Sequence, residues 1–232
     1  MENYEIKVTK NGPYLVSGNI SITKEIIASD KDGYPIKYIT EKHYKDKKTY
    51  ALCRCGKSKN NPYCDNTHTK ISFDGTETAS KEKHLLQKKK TSGPELILDD
   101  FPELCASARF CTRAGGVREL TKHSDDTESK KIAIQEVCNC PSGSLEISNN
   151  KTGKLIEPDL KPSISILEDP DKKVSGPIRV KGFIPIESSD KNLYETRNRV
   201  TLCRCGKSDN KPFCTGNHIT SGFVDDNNVT NG

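Results

Sequence analysis

The chain has 232 residues, 32% of them apolar and 30% charged, with no Trp and a mean hydropathy of −0.74. This allows two or three modest domains with thin cores, which call for a staple such as a metal centre. No apolar run approaches the ~18–20 residues a membrane span needs, so no membrane-spanning helix is expected. The net charge of +5, from 37 basic and 32 acidic residues, is too slight to mark a nucleic-acid binder.

The N-terminal "MENYEIKVTK" lacks the charged-then-apolar layout of a secretory signal. Ten cysteines without an export signal read as metal ligands or redox groups rather than disulfides, which places the protein in the cytoplasm. "NGPYLVSGNISI" at 11–22 follows: Gly-Pro, a short alternating run, Gly, another apolar run. A polar turn at 29–35 and a short strand, "KKTYALCRC", lead into Cys53 and Cys55. "CRCGKSKNNPYCDNTH" then supplies Cys64 and His68 in a C-x-C-x8-C-x3-H pattern. Cys-x3-His places both ligands on one helix face. The Lys-rich stretch 79–92, including "KEKHLLQKKK", reads as a solvated connector.

The segment 93–160 differs. Its sequence predicts a helix around 102–111 ending near Gly115-Gly116, and a second helix with Ser124 as N-cap running to about Val137. The strand-like "SLEIS" and "GKLIEP" follow, then a Pro/Asp-rich connector at 158–176. "SGPIRVKGFIPI" at 175–186 repeats the opening pattern, and "RNRVTLCRC" leads to a second quartet, Cys203, Cys205, Cys214 and His218. The first copy carries about a dozen extra residues within 24–46. His43, His84 and His123 have no ligand-like neighbours in sequence and are expected to be exposed.

Three thiolates and one imidazole suit a tetrahedral zinc site or a [2Fe–2S] cluster with two thiolates on one iron and a thiolate plus imidazole on the other. Zinc fingers more often use C-x2–4-C, so Cys-x-Cys leans toward iron–sulfur. The stretch closely resembles the CDGSH (mitoNEET-like) iron–sulfur family, whose pattern is C-x-C-x2-[ST]-x3-P-x-C-D-x2-H. The first copy matches throughout, at Cys53, Cys55, Ser58, Pro62, Cys64, Asp65 and His68. The second matches at Cys203, Cys205, Ser208, Pro212, Cys214 and His218 but has Thr215 in place of the Asp. The resemblance implies one [2Fe–2S] cluster per copy. Thr215 is neutral, so the second cluster is expected to be bound with a different stability and potential. A histidine ligand makes a cluster protonatable near pH ~6–7 and raises its potential. Arg54, Lys57, Arg204 and Lys207 either set the field at the sulfurs or are solvated loop charges.

Four cysteines remain. Cys105 and Cys111 are spaced C-x5-C, and Cys140 precedes Pro141. A bacterial-type ferredoxin cluster uses C-x2-C-x2-C with a remote Cys-Pro, and here Ala108 takes the central position. The segment resembles divergent mono-cluster ferredoxins. That implies a third cluster, [3Fe–4S] or [4Fe–4S], on Cys105, Cys111 and Cys140, with Cys138 a fourth ligand or a spare thiol. The alternatives are thiols packing a small core, zinc, or a reactive pair. "FCTRAGGVREL" is not a phosphate loop.

The expected fold class is therefore α+β: two small β-rich CDGSH-type modules, 1–80 and 172–228, flanking a small ferredoxin-like α/β middle domain, 93–160. The expected function is electron transfer or cluster transfer to a redox or cluster-acceptor protein, without catalysis of its own, since no catalytic constellation stands out. No nucleic acid or membrane partner is expected. The expected state is a monomer with an internal pseudo-dimer, or a homodimer. The alternative is a zinc-stapled structural or binding module.

Overall fold

The computed structural model describes residues 4–82 and 88–225. His84, expected to be exposed, lies outside these. The chain is mixed α+β, with three sheets and few helices among the described residues. None of these helices is long and apolar enough to cross a membrane.

The first copy contributes β1 (Glu5–Val8), β2 (Tyr14–Ser17), β3 (Ile22–Ser29), β4 (Pro35–His43), β5 (Thr49–Leu52) and the short helix α1 (Thr67–Lys70). The middle segment contributes β6 (Lys89–Ser92), β7 (Leu96–Asp100), α2 (Val117–Lys122), α3 (Thr127–Asn139), β8 (Leu145–Asn149) and β9 (Leu155–Ile156). The second copy contributes β10 (Ser163–Asp169), β11 (Val174–Lys181), β12 (Ile186–Glu187), β13 (Arg199–Leu202) and α4 (Asn217–Thr220).

The two copies exchange strands. β1 pairs in parallel with β12, Ile6 opposite Ile186, and β10 pairs in parallel with β3, Ile164 opposite Ile22. The result is two sheets, ordered β12-β1-β2-β5 and β13-β11-β10-β3-β4. Alternating apolar positions from both copies, among them Ile6, Tyr14, Leu52, Ile164, Ile178 and Leu202, fill a single core between them. Each such side chain contributes ~1.5–3 kcal/mol on burial, in a core to which both copies contribute.

Tyr14 ties the copies together. Its hydroxyl, fully buried, donates to the carbonyls of Cys203 at 2.8 Å and Pro212 at 3.1 Å. Tyr14→Phe leaves those acceptors short of a donor and is expected to cost ~1–3 kcal/mol, read as a lower midpoint in urea unfolding. An unchanged midpoint would show that the bond contributes nothing net.

Three expectations change. The connector read at 158–176 contains β10, a strand buried along nearly its whole length in the centre of its sheet. The helix expected at 102–111 is replaced by a 3-10 turn at Pro102–Leu104, an irregular loop, and a broken 3-10 stretch at Phe110–Gly115. Ser107 and Arg109 in that loop take left-handed backbone angles (φ 57° and 63°) that no helix can contain. Finally, Asp126 rather than Ser124 caps α3, accepting from the Ser129 N–H at 2.8 Å. Ser124 instead accepts from the N–H groups of Glu95 and Leu96 at the start of β7, at 3.0 and 3.1 Å.

The middle sheet, β6-β7-β8-β9, packs against α2 and α3 through Leu96, Leu98, Val117, Leu120, Val137 and Ile147. β6 occupies the end of the stretch read as a Lys-rich connector. The extra residues of the first copy form most of the β3–β4 hairpin, which grips the middle segment. Tyr38 donates to the Asn139 carbonyl at 2.6 Å and meets Phe110 ring to ring at 4.8 Å, and the Asn139 amide donates to Ile36 at 3.1 Å.

Candidate metal centres

In each copy a strand delivers Cys-Arg-Cys and a Pro-containing loop returns the third cysteine. Cys53 N–H donates to the Pro62 carbonyl at 2.8 Å and Cys64 N–H to Ala51 at 2.9 Å, closing the loop. Ser58 pins it from inside, donating to Tyr63 O at 2.6 Å and accepting from Asn60 N–H at 3.0 Å. The second copy reproduces these bonds with Cys203–Pro212, Cys214–Thr201 and Ser208–Phe213.

The donors arrive as close pairs. Cys53 and Cys55 sulfurs are 3.8 Å apart, and Cys64 Sγ lies 3.4 Å from His68 Nδ1. The corresponding distances are 3.6 Å for Cys203–Cys205 and 3.5 Å for Cys214–His218. Among the described residues no three Cys, His, Asp or Glu side chains converge at the spacing of a single-ion site. Cys64 and His68 do not share a helix face as expected. α1 begins only at Thr67, after left-handed Asn66 (φ 67°), and a turn brings the sulfur to the ring, with Asn66 N–H donating to Cys64 Sγ at 3.4 Å. Gly216 (φ 81°) does the same before α4.

Cys53 and Cys203 are set up as thiolates. A hydrogen bond from the neighbouring Cys55 or Cys205, helped by backbone N–H groups of the loop, overcomes burial and brings each to about 6. The partner thiols, which hold the shared proton and are buried, are pushed the other way.

Cys105, Cys111 and Cys140 line one cavity of ≈ 80 Å³ together with Ala108. Cys138 is outside it, partly buried, with Arg199 and Glu157 as its charged neighbours. Cys140 is buried; Arg199 and the hydroxyls of Ser144 and Ser142 outweigh that burial and lower its pKa. Ser107 and Arg109, both left-handed, lie on the loop that lines the cavity.

The family model "Iron-binding zinc finger CDGSH type" matches residues 11–69 and 175–219, and the model "Divergent 4Fe-4S mono-cluster" matches 91–150. Two CDGSH-type regions flank a divergent mono-cluster region. Comparison with curated proteins and with solved structures gave no match. The matched regions identify an iron–sulfur-binding protein. The donor chemistry fits such groups: soft thiolates in close pairs in each CDGSH region, and three thiols around a lined cavity in the mono-cluster region.

The two CDGSH regions differ in detail. Asp65 accepts from the N–H groups of Lys59 and Thr67, both at 2.9 Å, and these bonds hold its carboxyl well below the usual range. Thr215, in its place, makes only a 3.3 Å contact with the Ser208 hydroxyl. The charge is relocated rather than lost: Asp209 stands where Lys59 does, and its carboxylate accepts from Asn217 at 2.8 Å. His68 is half-buried, while His218 is 4% exposed and held down to about 4 by burial and the nearby Arg204. The mono-cluster loop shields it: a methyl on Gly216 would come within 2.3 Å of Ser107 Oγ.

Of the basic residues singled out by sequence, Lys57 and Lys207 are exposed and Arg54 and Arg204 buried. His43 and His123 are exposed, the latter 3.0 Å from Glu119. Sequence reasoning missed Tyr14, Arg199 and the loop at 105–109. An aromatic after Gly-Pro where the repeat has Ile178 was the one available signal.

Proposed function

We propose that each CDGSH region holds one [2Fe–2S] cluster on its three cysteines and histidine, that Cys105, Cys111 and Cys140 hold a third cluster, and that the protein is an electron carrier. The observation that carries this reading is the pairing of donors: two sulfurs at one end of each quartet, a sulfur and an imidazole at the other, as a binuclear cluster requires. Bound clusters supply one-electron chemistry. The chain's own residues enclose the second histidine, leave the first partly open, and present Ala108 where a fourth cysteine would close the middle set.

The partner in this reading is a redox protein meeting the first region near His68. Cluster handover from the same open face is the second reading, favoured by the exposure of that histidine ligand. No substrate turnover is invoked. Ten free cysteines suit a reducing compartment, the cytoplasm. Strand exchange within one chain supports a monomer acting as its own dimer.

Iron, sulfide and zinc analysis of anaerobically purified protein tests this. About four irons and four sulfides belong to the paired quartets, and about three or four further irons are expected to vanish in Cys105→Ser/Cys140→Ser. Two zincs and a colourless solution would overturn the reading.

A further inference from the structure

The quartets are alike in ligands and unlike in charge. The arginine between the paired cysteines is buried in both, Arg54 and Arg204 each being 2% exposed. Arg54 donates to the carbonyls of Thr9 at 3.1 Å and Gly75 at 2.5 Å, and its Nε has no partner. Its guanidinium also faces the rings of Tyr14 and Phe73, at 5.4 and 5.9 Å. All of these partners are uncharged. Arg204 is met by two carboxylates, Glu168 at 2.6 Å and Asp225, besides the carbonyls of Gly176 at 2.7 Å and Leu167 at 3.1 Å.

The contrast comes from two positions of the repeat. Ile6 opposite Val16 corresponds to Ile164 opposite Val180. Three residues on, Thr9 and Leu167 offer the carbonyl that each arginine holds. The next residue is Lys10 in the first copy and Glu168 in the second; likewise two residues past Phe73 is Gly75, and two past Phe223 is Asp225. Lys10 shares an open pocket with His68 and Asp74. On the second side the remaining charges facing His218 are Arg109 and Asp169, which pair with each other at 2.5 Å. On the first side Arg54 and Lys10 stand against Asp65, beside Cys64, and Asp74, which acts on Arg54, so the charges balance; on the second, Glu168 and Asp225 outnumber Arg204 while Arg109 and Asp169 cancel, which leaves an excess of carboxylate.

Reduction adds one negative charge to a cluster. Nearby uncompensated cations and solvent exposure favour that; burial and carboxylates oppose it. We infer that the first CDGSH site has the higher reduction potential, and that Lys10 at one site, and Glu168 with Asp225 at the other, set the gap. This rests on the reading of one [2Fe–2S] cluster per quartet. Each site takes one electron from the reductant, with no bond made or broken. An electron given to the pair then settles at the first site, the one open to a partner.

The test is a potentiometric titration of the full loaded chain, followed by the paramagnetic signal of the reduced [2Fe–2S] clusters. Two waves are expected, separated at least tenfold in reduction equilibrium, about 59 mV for one electron. Lys10→Glu should lower the upper wave alone, and Asp225→Asn should raise the lower wave alone. His68→Cys, which puts a thiolate in place of imidazole, should displace the upper wave. A single wave in the wild type overturns the inference, as does an upper wave unmoved by Lys10→Glu or a lower wave displaced by His68→Cys. Lys10 is exposed, so its variant serves even where Asp225→Asn fails to fold. Full iron and sulfide with one wave overturns this inference alone, whereas a colourless zinc protein overturns the cluster reading beneath it.

Discussion

Replacing Arg199 by alanine is expected to destabilise the protein by ~3–5 kcal/mol and to loosen the loop that carries Cys140. Arg199 lies on β13, the strand that leads to Cys203, and is 1% exposed. Its guanidinium reaches across to the mono-cluster region. It donates to the carbonyls of Val137, Cys140 at 3.0 Å and Leu145 at 3.2 Å, and pairs with Glu157, with Nε at 3.0 Å from the carboxylate. Five donors in a planar fork satisfy acceptors from three different stretches of chain. Alanine leaves a carboxylate and three carbonyls without their shared partner. Chemical unfolding followed by circular dichroism gives the size of the effect, and iron analysis its location. The irons of the mono-cluster region should go first, with the CDGSH irons retained. Arg199→Lys keeps the charge but not the fork and should fall between. A full iron content and unchanged stability in Arg199→Ala would show that the two regions do not depend on this residue.

Gly56→Ala is expected to cost ~2–5 kcal/mol, combining left-handed backbone strain with overpacking. Gly56 has φ 71°, and a Cβ there would lie 2.8 Å from the Cys205 carbonyl oxygen. The obstacle is backbone and cannot rotate away. Gly206 repeats the geometry with φ 75° and 3.0 Å to the Cys55 carbonyl. The two cysteine loops thus lean on each other between the two copies, so either substitution should release iron from both CDGSH regions. Gly33→Ala provides the control: its φ is 81°, but nothing lies within 4 Å of the added methyl. It should show only the backbone term, ~1–2 kcal/mol, with no loss of iron. Equal effects at Gly33 and Gly56 would mean that the loop contact carries no weight.

Much of this arrangement was legible in the residues. Fixed intervals between Cys53, Cys55, Cys64 and His68 are a local property: the Ser58 and Pro62 loop folds back on itself wherever it sits, so spacing alone announces the donor set. The C-x5-C and Cys-Pro of the middle segment gave Cys105, Cys111 and Cys140, which line one cavity. β10 was hidden because Pro158, Pro162 and Pro170 bracket it and make a central strand look like a connector. The non-helical loop at 105–109 was hidden because its left-handed residues are Ser and Arg rather than Gly.

The sequence by itself determined the two quartets, the internal repeat and the mixture of alternating strands with short helices, all of which depend on neighbours within a few residues. Only the tertiary structure decided that β3, with β4, and β12 cross into the other copy's sheet, and that the two copies share one core. It also decided which arginine is compensated. Glu168 lies 36 residues before Arg204 and Asp225 lies 21 after it. Their meeting depends on strand pairing and chain return, which act over distances that no local pattern encodes.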